Sequence, residues 1–382
     1  MIYLIIGLIL TLSIFFFEKK KNTDFFYWSL CVLLVLLAGL RNFVGGDTIG
    51  YMLMWDSLPK FNENFDFFSL TNLYQPFWYI INAFAKYIYD DFVTIQILLA
   101  IILNFSIFRL FDKYSNYRFS CVLIYYLMTY AYFNFEILRE SLSISILIIS
   151  IPFLIDKKWT KYFLLSTIAF LFHTSAIILF FLPFGINFFN KKVNLKSLMY
   201  IIVITFILGS SYTINFIVDN FFPFLAALAE IYSEWEWSTI GYFVASLKCL
   251  FVFLLIMLRQ KYNVSQNMID IPLKIYMFFT ILSLTMPIAQ RFQNYFILFF
   301  IIGLVDLIWK FKGKEFIIKH TIVLFFTTIT LHYYLQDTTG LTGEKSRFGQ
   351  IFYPYFSVFD EVTENDIFIR KSIYYNISKY DY

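Results

Sequence analysis

The sequence is short of charged residues and of the side chains that build metal sites. Only 15% of its 382 residues are charged, against about a quarter in soluble domains. The three cysteines, Cys31, Cys121 and Cys249, all fall inside apolar runs, without CxxC or any metal-ligand spacing. These shortages argue against a soluble globular domain and a cysteine-based metal site. We expect the cysteines to be small core residues, uninformative about redox compartment.

Long apolar runs occupy most of the chain instead. Hydrophobic residues make up 60% of the sequence, aromatic residues make up 23%, and the mean hydropathy is +0.69. The runs are roughly 16 to 21 residues long, close to what a bilayer core of about 30 Å requires. We therefore predict an all-α, polytopic integral membrane protein. Basic residues follow the first run, Ile2–Phe17, rather than precede it, so we expect a first span and not a signal peptide.

Positive charge is concentrated in short loops, and this pattern predicts the topology. Six loops hold 19 of the 30 basic residues, and loops rich in Lys and Arg face the cytoplasm. Met1 and the tail then lie on the outer face. We predict a transmembrane domain over residues 1–335, with about ten full spans, and a polar outer tail over residues 336–382. The full spans are expected at residues 2–17, 25–40, 92–108, 119–135, 140–155, 197–217, 241–258, 272–289, 293–309 and 317–335.

Two further apolar stretches fit this topology only as re-entrant pieces. Residues 76–89 begin with Pro76, which suits the first turn of a helix, and are predicted to be a half-helix that dips in from the outer face. Residues 162–190 must leave and re-enter the cytoplasmic side, but about 29 residues are too few for two spans. A pair of half-helices with His173 near the turn is expected. Because broken backbone at membrane depth needs protein or a watery cavity beside it, both stretches predict a cavity.

Three arginines stand at predicted outer membrane boundaries: Arg41, Arg139 and Arg291. The planar guanidinium captures phosphate or carboxylate in a bidentate manner. If the three converge from different helices, they form a pyrophosphate clamp. Snorkelling at the interface and structural ion pairing are the alternative, and Glu136 and Glu140 lie close enough in sequence to pair with Arg139.

The stretch RNFVGGDTIGY after the second apolar run combines a cation, a flexible turn and a carboxylate. Gly45 and Gly46 allow a sharp turn or close approach to a ligand. Asp47 could accept a proton from a sugar hydroxyl or cap a following helix. His173, an ionisable group in an apolar run, is either a functional residue or an interior histidine bonded to a carbonyl.

Other polar residues have a structural explanation beside a functional one. Asp90 and Asp91 form an adjacent acidic pair that could bind a metal, but the end of a half-helix in water explains them more simply, and we predict no metal site. Trp235 and Trp237 could stack on sugars or belong to an interfacial aromatic belt. Lys248, in the middle of a span, could line a cavity or be snorkelling or ion-paired.

Five stretches, in this order, resemble the EpsG family of Wzy-like bacterial polysaccharide polymerases. They are GLRNFVGGDTIGY, LYQPFWYIINAF, FNFEILRESLSISI, FLFHTSAIIL and AQRFQNYF, which together span roughly residues 30–300. The family usually has Arg-Gln where this chain has Arg139-Glu140, and often has Glu where Gln75 stands. The resemblance implies a GT-C-like helical fold.

The resemblance also implies a function. Such proteins join lipid-linked oligosaccharide repeat units on the outer face of the bacterial cytoplasmic membrane. The expected partners are polyprenyl-pyrophosphate-linked oligosaccharide, the bilayer, and a chain-length regulator and flippase of the same pathway, with no nucleic acid and no cofactor. A single-sugar transferase that uses a polyprenyl-phosphate donor and a lipid-linked glycan flippase or transporter are the alternatives. The expected site residues are Arg41, Arg139 and Arg291 for the pyrophosphate, Asp47 and His173 for catalysis, and Glu140, Trp235 and Trp237 for the glycan.

Overall fold

The structure is a computed structural model that describes residues 2–61, 75–210, 212–213, 220, 239–264, 266–310, 337–339 and 345–378. The chain divides into two compact units. The first unit comprises Met1–Ser150, Thr160–Ile177 and Lys312–Tyr382, and the second comprises Ile151–Trp159 and Ile178–Phe311.

Helices make up most of the described chain, as the apolar runs predict. The α-helices are α1 (Ile2–Phe17), α2 (Asp24–Gly39), α3 (Gly46–Trp55), α4 (Pro76–Ile88), α5 (Phe92–Tyr114), α6 (Arg118–Tyr125), α7 (Leu138–Ile155), α8 (Trp159–Phe172), α9 (Leu182–Phe189), α10 (Leu195–Leu208), α11 (Thr239–Lys261), α12 (Asn267–Leu282), α13 (Ala289–Asn294), α14 (Ile297–Lys310) and α15 (Glu364–Ser378). The antiparallel hairpin of β1 (Asp337–Thr339) and β2 (Lys345–Arg347) and a 3₁₀ turn (Phe348–Ile351) belong to the tail.

Within the described part of the chain, three helices are long and apolar enough to cross a bilayer, by length and composition: α5, α7 and α11. Shorter apolar helices include α1, α2, α8 and α10. The prediction of a helical membrane protein is confirmed. The count of ten full spans and the GT-C-like arrangement remain predictions, and the last predicted span, residues 317–335, lies outside the described part of the chain.

The span predicted at residues 119–135 is not a regular α-helix. After α6 it continues as two π-helical segments, Tyr126–Tyr130 and Tyr132–Glu136. A closed polar network supports them, because Asn104 donates to Asn134 (2.8 Å) and Asn134 donates to the Tyr125 hydroxyl (2.9 Å), which in turn donates to Asn104 (3.1 Å). π-Helical turns occur often at functional sites.

Both predicted half-helices form short elements. α4 has 13 residues and starts at Pro76. α8 ends at Phe172, immediately before His173, and the chain continues as a 3₁₀ helix, Thr174–Phe181, and then α9. The helix break predicted at His173 is therefore confirmed, while the depth of these pieces in a membrane remains a prediction.

The tail is folded onto the first unit. The backbone N–H of Asn42 donates to the Phe356 carbonyl (2.8 Å), and the N–H of Val358 donates to the Leu40 carbonyl (2.9 Å). The Tyr355 hydroxyl donates to the carbonyl at the end of α2, Leu37 (2.9 Å). The tail and the loop after α2 therefore lie on the same side, which fits the predicted topology.

Contacts at the opposite ends of these helices also fit that topology. The Glu18 carboxylate accepts hydrogen bonds from the N–H groups of Phe119 (3.1 Å) and Ser120 (2.6 Å), and Arg118 bonds to Asp24 (2.6 Å). The loop after α1 and the loop before α6 are both predicted to be cytoplasmic, and they meet here.

The second unit is held together by a buried charge cluster. The Arg259 guanidinium on α11 bonds to the Asp270 carboxylate on α12 (2.9 Å), approaches Asp306 on α14 (3.8 Å), and donates to the Gly303 carbonyl (2.9 Å). Buried charges are tolerated when they are paired in this way. The cluster joins three helices of the unit.

Candidate active site

Helix α3 begins where the glycine pair lets two chain segments meet. Gly45 has φ of +103°, in the region that favours glycine, and a Cβ there would lie 2.7 Å from the Phe135 carbonyl oxygen. A Cβ on Gly46 would lie 2.9 Å from a Glu136 carboxylate oxygen. Because the two glycines have no side chains, the end of the second π-helical segment can pack directly against their backbone.

Glu136 caps α3 from 90 residues away. Its carboxylate accepts hydrogen bonds from the backbone N–H groups of Gly46 (2.8 Å) and Asp47 (3.1 Å). A carboxylate is stabilising at the positive end of a helix dipole. Because Glu136 supplies the cap, the Asp47 side chain is not needed for it, and Asp47 is half-buried in the first turn of α3.

Lys86 holds the other end of α3. Its ammonium group donates to the carbonyls of Trp55 (2.8 Å), the last residue of the helix, and of Leu58 (2.9 Å), just beyond it. A cation is favourable at a helix C-terminus. Two distant side chains, one of each sign, therefore fix α3 at its two ends.

Arg139 of α7 contacts Tyr51 of α3. Arg139 Nε donates to the Tyr51 hydroxyl (3.1 Å), and its guanidinium carbon lies 5.5 Å from the centre of the Tyr51 ring. Asp47 and Tyr51 are four residues apart on α3, so they share one face. Arg139 is half-buried. The structure thus brings a carboxylate, a phenol and a guanidinium to one place.

The Arg41 guanidinium points into the protein, and its role at the pyrophosphate remains a prediction. It is 1% exposed and donates to the carbonyls of Ala38 and Val44 (3.2 Å) and to the Thr48 hydroxyl (3.0 Å). Burial lowers the pKa of Arg41 to about 10, so the group stays charged at neutral pH. In this structure it organises the loop before α3, and we leave it out of the proposed pyrophosphate site.

His173 lies immediately after α8, and its Nδ1 atom contacts Ser175. The backbone N–H of Ser175 donates to Nδ1 (3.3 Å), and the Ser175 hydroxyl lies 2.6 Å from the same nitrogen. Donation from the Ser175 N–H to Nδ1 favours the neutral tautomer that carries its proton on Nε2.

His173 and Arg139 stand at one level of neighbouring helices. The Ser143 hydroxyl on α7 donates to the Ala169 carbonyl on α8 (2.7 Å). The two helices are joined by a short turn and run in opposite directions. Arg139 lies one turn before Ser143, and His173 lies one turn after Ala169, so both side chains stand at the same end.

An apolar cluster supports the four helices at this end. Trp78 of α4 packs on Tyr51 of α3, with ring centres 5.1 Å apart. Leu138 of α7 belongs to the same cluster, and Phe172 of α8 packs against it. Residues from α3, α4, α7 and α8 therefore surround one site of the first unit, which we call the α3 site: Asp47, Tyr51, Glu136, Arg139 and His173.

A sequence model of the EpsG family matches residues 24–357, which includes every residue of the α3 site. The chain belongs to the EpsG family. This family is associated with Wzy-like polymerases, so this EpsG-family chain is a polysaccharide polymerase-like membrane protein. No curated protein and no solved structure gives a significant match.

The remaining predicted glycan and pyrophosphate residues of this EpsG-family protein have different surroundings. Glu140 is 2% exposed, and its contact with a glycan remains a prediction. Arg291 is half-buried on α13 of the second unit. Its convergence with the other arginines therefore remains a prediction. Trp235 and Trp237 lie outside the described residues.

The acidic pair and the mid-span lysine of this EpsG-family protein have structural partners. Asp91 accepts a hydrogen bond from the Val93 N–H (2.9 Å) and caps α5, and Asp90 pairs with Lys60 (3.2 Å). The interpretation of this pair as a helix end is confirmed. Lys248 donates to the amide oxygen of Gln293 (2.6 Å). Across the described ranges, no group of three or more His, Cys, Asp and Glu side chains is arranged to hold a metal.

Two residues of the EpsG-family α3 site are missed by sequence reasoning alone. Tyr51 carries no signal beyond its four-residue spacing from Asp47. Glu136 is flagged only as a neighbour of Arg139. Its capping role has one indirect signal: α3 starts after Gly45, which has no side chain to accept the first N–H groups, so the acceptor must come from elsewhere.

Proposed function

We propose that this EpsG-family protein is a glycosyltransferase that polymerises oligosaccharide repeat units carried on polyprenyl pyrophosphate. The reaction would take place at the outer face of the bacterial cytoplasmic membrane. One observation carries the proposal: a half-buried arginine, Arg139, lies beside the half-buried carboxylate face of α3, at the level of His173. This arrangement offers a cation for a departing pyrophosphate and a carboxylate for an attacking hydroxyl.

The reaction needs charge stabilisation on the donor side. The bond between the anomeric carbon and the pyrophosphate oxygen breaks, and negative charge develops on the leaving group. A guanidinium placed before the reaction stabilises this charge more in the transition state than in the ground state. Arg139 is our first candidate for this role. Arg291 stays a second candidate by residue type, because its guanidinium could bind a phosphate in the same bidentate manner.

The acceptor side needs a base and a group that orients the hydroxyl. As the acceptor oxygen bonds to the anomeric carbon, its proton leaves, and Asp47 is the proposed recipient. The Nε2 proton of His173 makes the ring a donor on that side, which suits holding an acceptor or phosphate oxygen in place. Glu136 does not touch substrate in this scheme, because backbone N–H groups occupy its carboxylate.

The partners follow from the same reaction. They are the lipid-linked donor, the lipid-linked acceptor and the bilayer around them. A chain-length regulator and a flippase of the same pathway are the proposed protein partners. The α3 site is the proposed meeting point of the two lipid-linked substrates.

Purified protein in vesicles, supplied with polyprenyl-pyrophosphate-linked repeat units, tests the proposal. We expect a ladder of lipid-linked products. Addition of one sugar from a polyprenyl-phosphate donor, without a ladder, would make the protein a single-sugar transferase. Movement of labelled lipid across the bilayer without any new glycosidic bond would make it a flippase. The matched pair Arg139→Lys and Arg109→Lys separates the site from general charge effects, because Arg109 is an exposed arginine near the C-terminal end of α5.

A further inference from the structure

The C-terminal helix α15 packs directly on α3. The match to the EpsG family ends at residue 357, so α15 (Glu364–Ser378) lies beyond the family region. A Cβ added to Gly50 would lie 2.2 Å from the hydroxyl oxygen of Tyr374 and 2.7 Å from the ring carbon that bears it. The Tyr374 ring therefore rests on the backbone of α3 at Gly50.

This contact falls between the two α3 residues of the proposed site. Gly50 is adjacent to Tyr51 and is three residues from Asp47, a spacing that makes side chains neighbours on a helix. A tighter or looser packing contact at Gly50 therefore moves the helical turn that carries both Asp47 and Tyr51. Glu136 and Lys86 hold the ends of α3, and Tyr374 holds its middle.

A buried arginine fixes α15 to the loop that leads into α3. Arg370 is 2% exposed, donates to the Phe43 carbonyl (2.7 Å) and to the Pro354 carbonyl, and lies over the Phe356 ring (4.7 Å). The planar guanidinium donates to both segments at once. Arg370 thus ties α15 to the loop before α3 and to the tail.

Backbone pairing reinforces the same junction. Arg41 forms an antiparallel bridge with Ser357. The Gly45 N–H donates to the Ile351 carbonyl (3.2 Å). The loop that leads to Asp47 therefore packs against the tail. Its conformation depends on residues more than 300 positions away.

We propose that α15 is a positioning element of the α3 site, in which Tyr374 and Arg370 set the placement of Asp47 and Tyr51. This inference rests on the proposed function for its catalytic consequence. Tyr374 and Arg370 are positioning residues, because they act through α3 and its loop.

A steric suppressor experiment on the full-length protein tests the proposal. Gly50→Ala should force Tyr374 off α3 and lower kcat roughly tenfold or more, since small misplacements of catalytic groups are costly. KM for the lipid-linked donor should change by no more than about twofold, because binding at Arg139 is retained. Tyr374→Ala alone should lower kcat about threefold by loosening α3. The double variant should match Tyr374→Ala and so recover most of the Gly50→Ala loss.

Two matched controls separate this effect from general damage. Gly7→Ala changes a helical glycine of the same unit whose added Cβ would meet only an ordinary contact, 3.7 Å from Tyr126. Phe368→Ala removes an exposed aromatic ring from α15 itself. Both should leave kcat near wild type. Alanine is a better helix former than glycine, so a loss in Gly50→Ala cannot come from helix propensity.

Hydrogen exchange gives a readout that does not depend on activity. Amides of α3 should exchange roughly tenfold faster in Tyr374→Ala and in Arg370→Ala than in wild type, while amides of α5 stay unchanged. If the kcat of the double variant falls by the product of the two single-variant losses, the positioning role is overturned. Unchanged hydrogen exchange of the α3 amides would overturn it as well. A wild-type protein that makes no polymer, with α3 exchange still controlled by Tyr374, would refute the proposed function and leave the structural inference intact.

Discussion

The charge cluster of the second unit and the α3 site of the first unit contain the same kinds of side chain in different arrangements. Each contains one arginine and two carboxylates. In the second unit, the guanidinium of Arg259 bonds directly to Asp270 and is 1% exposed. In the first unit, the Glu136 carboxylate is occupied by backbone N–H groups, and Arg139, half-buried, bonds to a phenol. The closed cluster serves folding, whereas the half-buried guanidinium of Arg139 is the proposed ligand of an external anion.

The largest effect is expected from opening the closed cluster. Arg259→Met removes the cation and leaves two largely buried carboxylates uncompensated, at a cost of about 3–5 kcal/mol in the free energy of unfolding. We expect the folded fraction in membranes to fall sharply, which detergent-solubilised thermal unfolding can measure. Arg109→Met is the control at an exposed arginine. Normal abundance with lost polymerisation would place Arg259 in chemistry and reverse the comparison.

The opposite pattern is expected at Arg139. Arg139→Lys keeps the charge but loses the planar fork, and should lower polymer formation on the order of 10²-fold, as removal of one transition-state donor does. The folded fraction should stay near wild type, because lysine keeps the positive charge and the side chain is only half-buried. The measurement is initial ladder formation from lipid-linked repeat units. A destabilised protein with normal turnover per folded molecule would make Arg139 another structural arginine.

Substitutions of His173 test the acceptor side of the α3 site. In asparagine the amide lies near the position of Nδ1, whereas in glutamine it lies near the position of Nε2. If Nε2–H is the working donor, His173→Asn should lower turnover about tenfold, the value of one hydrogen bond, and His173→Gln should lower it less. Equal, severe losses in both variants would indicate proton transfer by the ring instead. Wild-type turnover in both would make His173 structural.

A smaller effect is expected when the cap of α3 is weakened. Glu136→Gln retains one acceptor oxygen and loses the other, so one of the two α3 N–H bonds is lost, at about 1 kcal/mol. Hydrogen exchange at Gly46 and Asp47 should rise, and turnover should fall a few-fold. Asp91→Ala is the matched control, because it removes the side-chain acceptor that caps α5 instead. Equal losses of turnover in the two variants would argue against a special role for the α3 cap.

Local features of this fold could be predicted from sequence. The bounds of α1, the half-helix at Pro76 and the break at His173 follow from hydropathy, proline placement and length, which are all local signals. The π-helical end at Glu136 could not be predicted, because it depends on a three-residue polar network between different helices.

The direction of a side chain was the least predictable property. Arg41 and Arg139 both stand at predicted outer boundaries and both favour an anion site by residue type. Arg41 turns inward because the loop before α3 folds over it and supplies three acceptors. That loop takes its shape partly from the tail, through pairing of Arg41 with Ser357. Contacts at such sequence separation leave no periodic signal.

The smallest effect is expected from removing divalent metal. Carboxylates near the α3 site have other partners: Glu136 accepts two backbone N–H groups, Asp91 caps α5, and Asp90 pairs with Lys60. A divalent cation needs several oxygen ligands, at about 2.0–2.6 Å, and would have to displace these bonds. An arginine stabilises a leaving pyrophosphate without such ligands. We therefore expect purified wild-type protein to polymerise lipid-linked repeat units at an unchanged rate in excess chelator. Activity that is abolished by chelator and restored by Mg²⁺ or Mn²⁺, together with a tolerant Arg139→Lys variant, would transfer the role of the guanidinium to a metal held by Asp47 or by the Asp90-Asp91 pair.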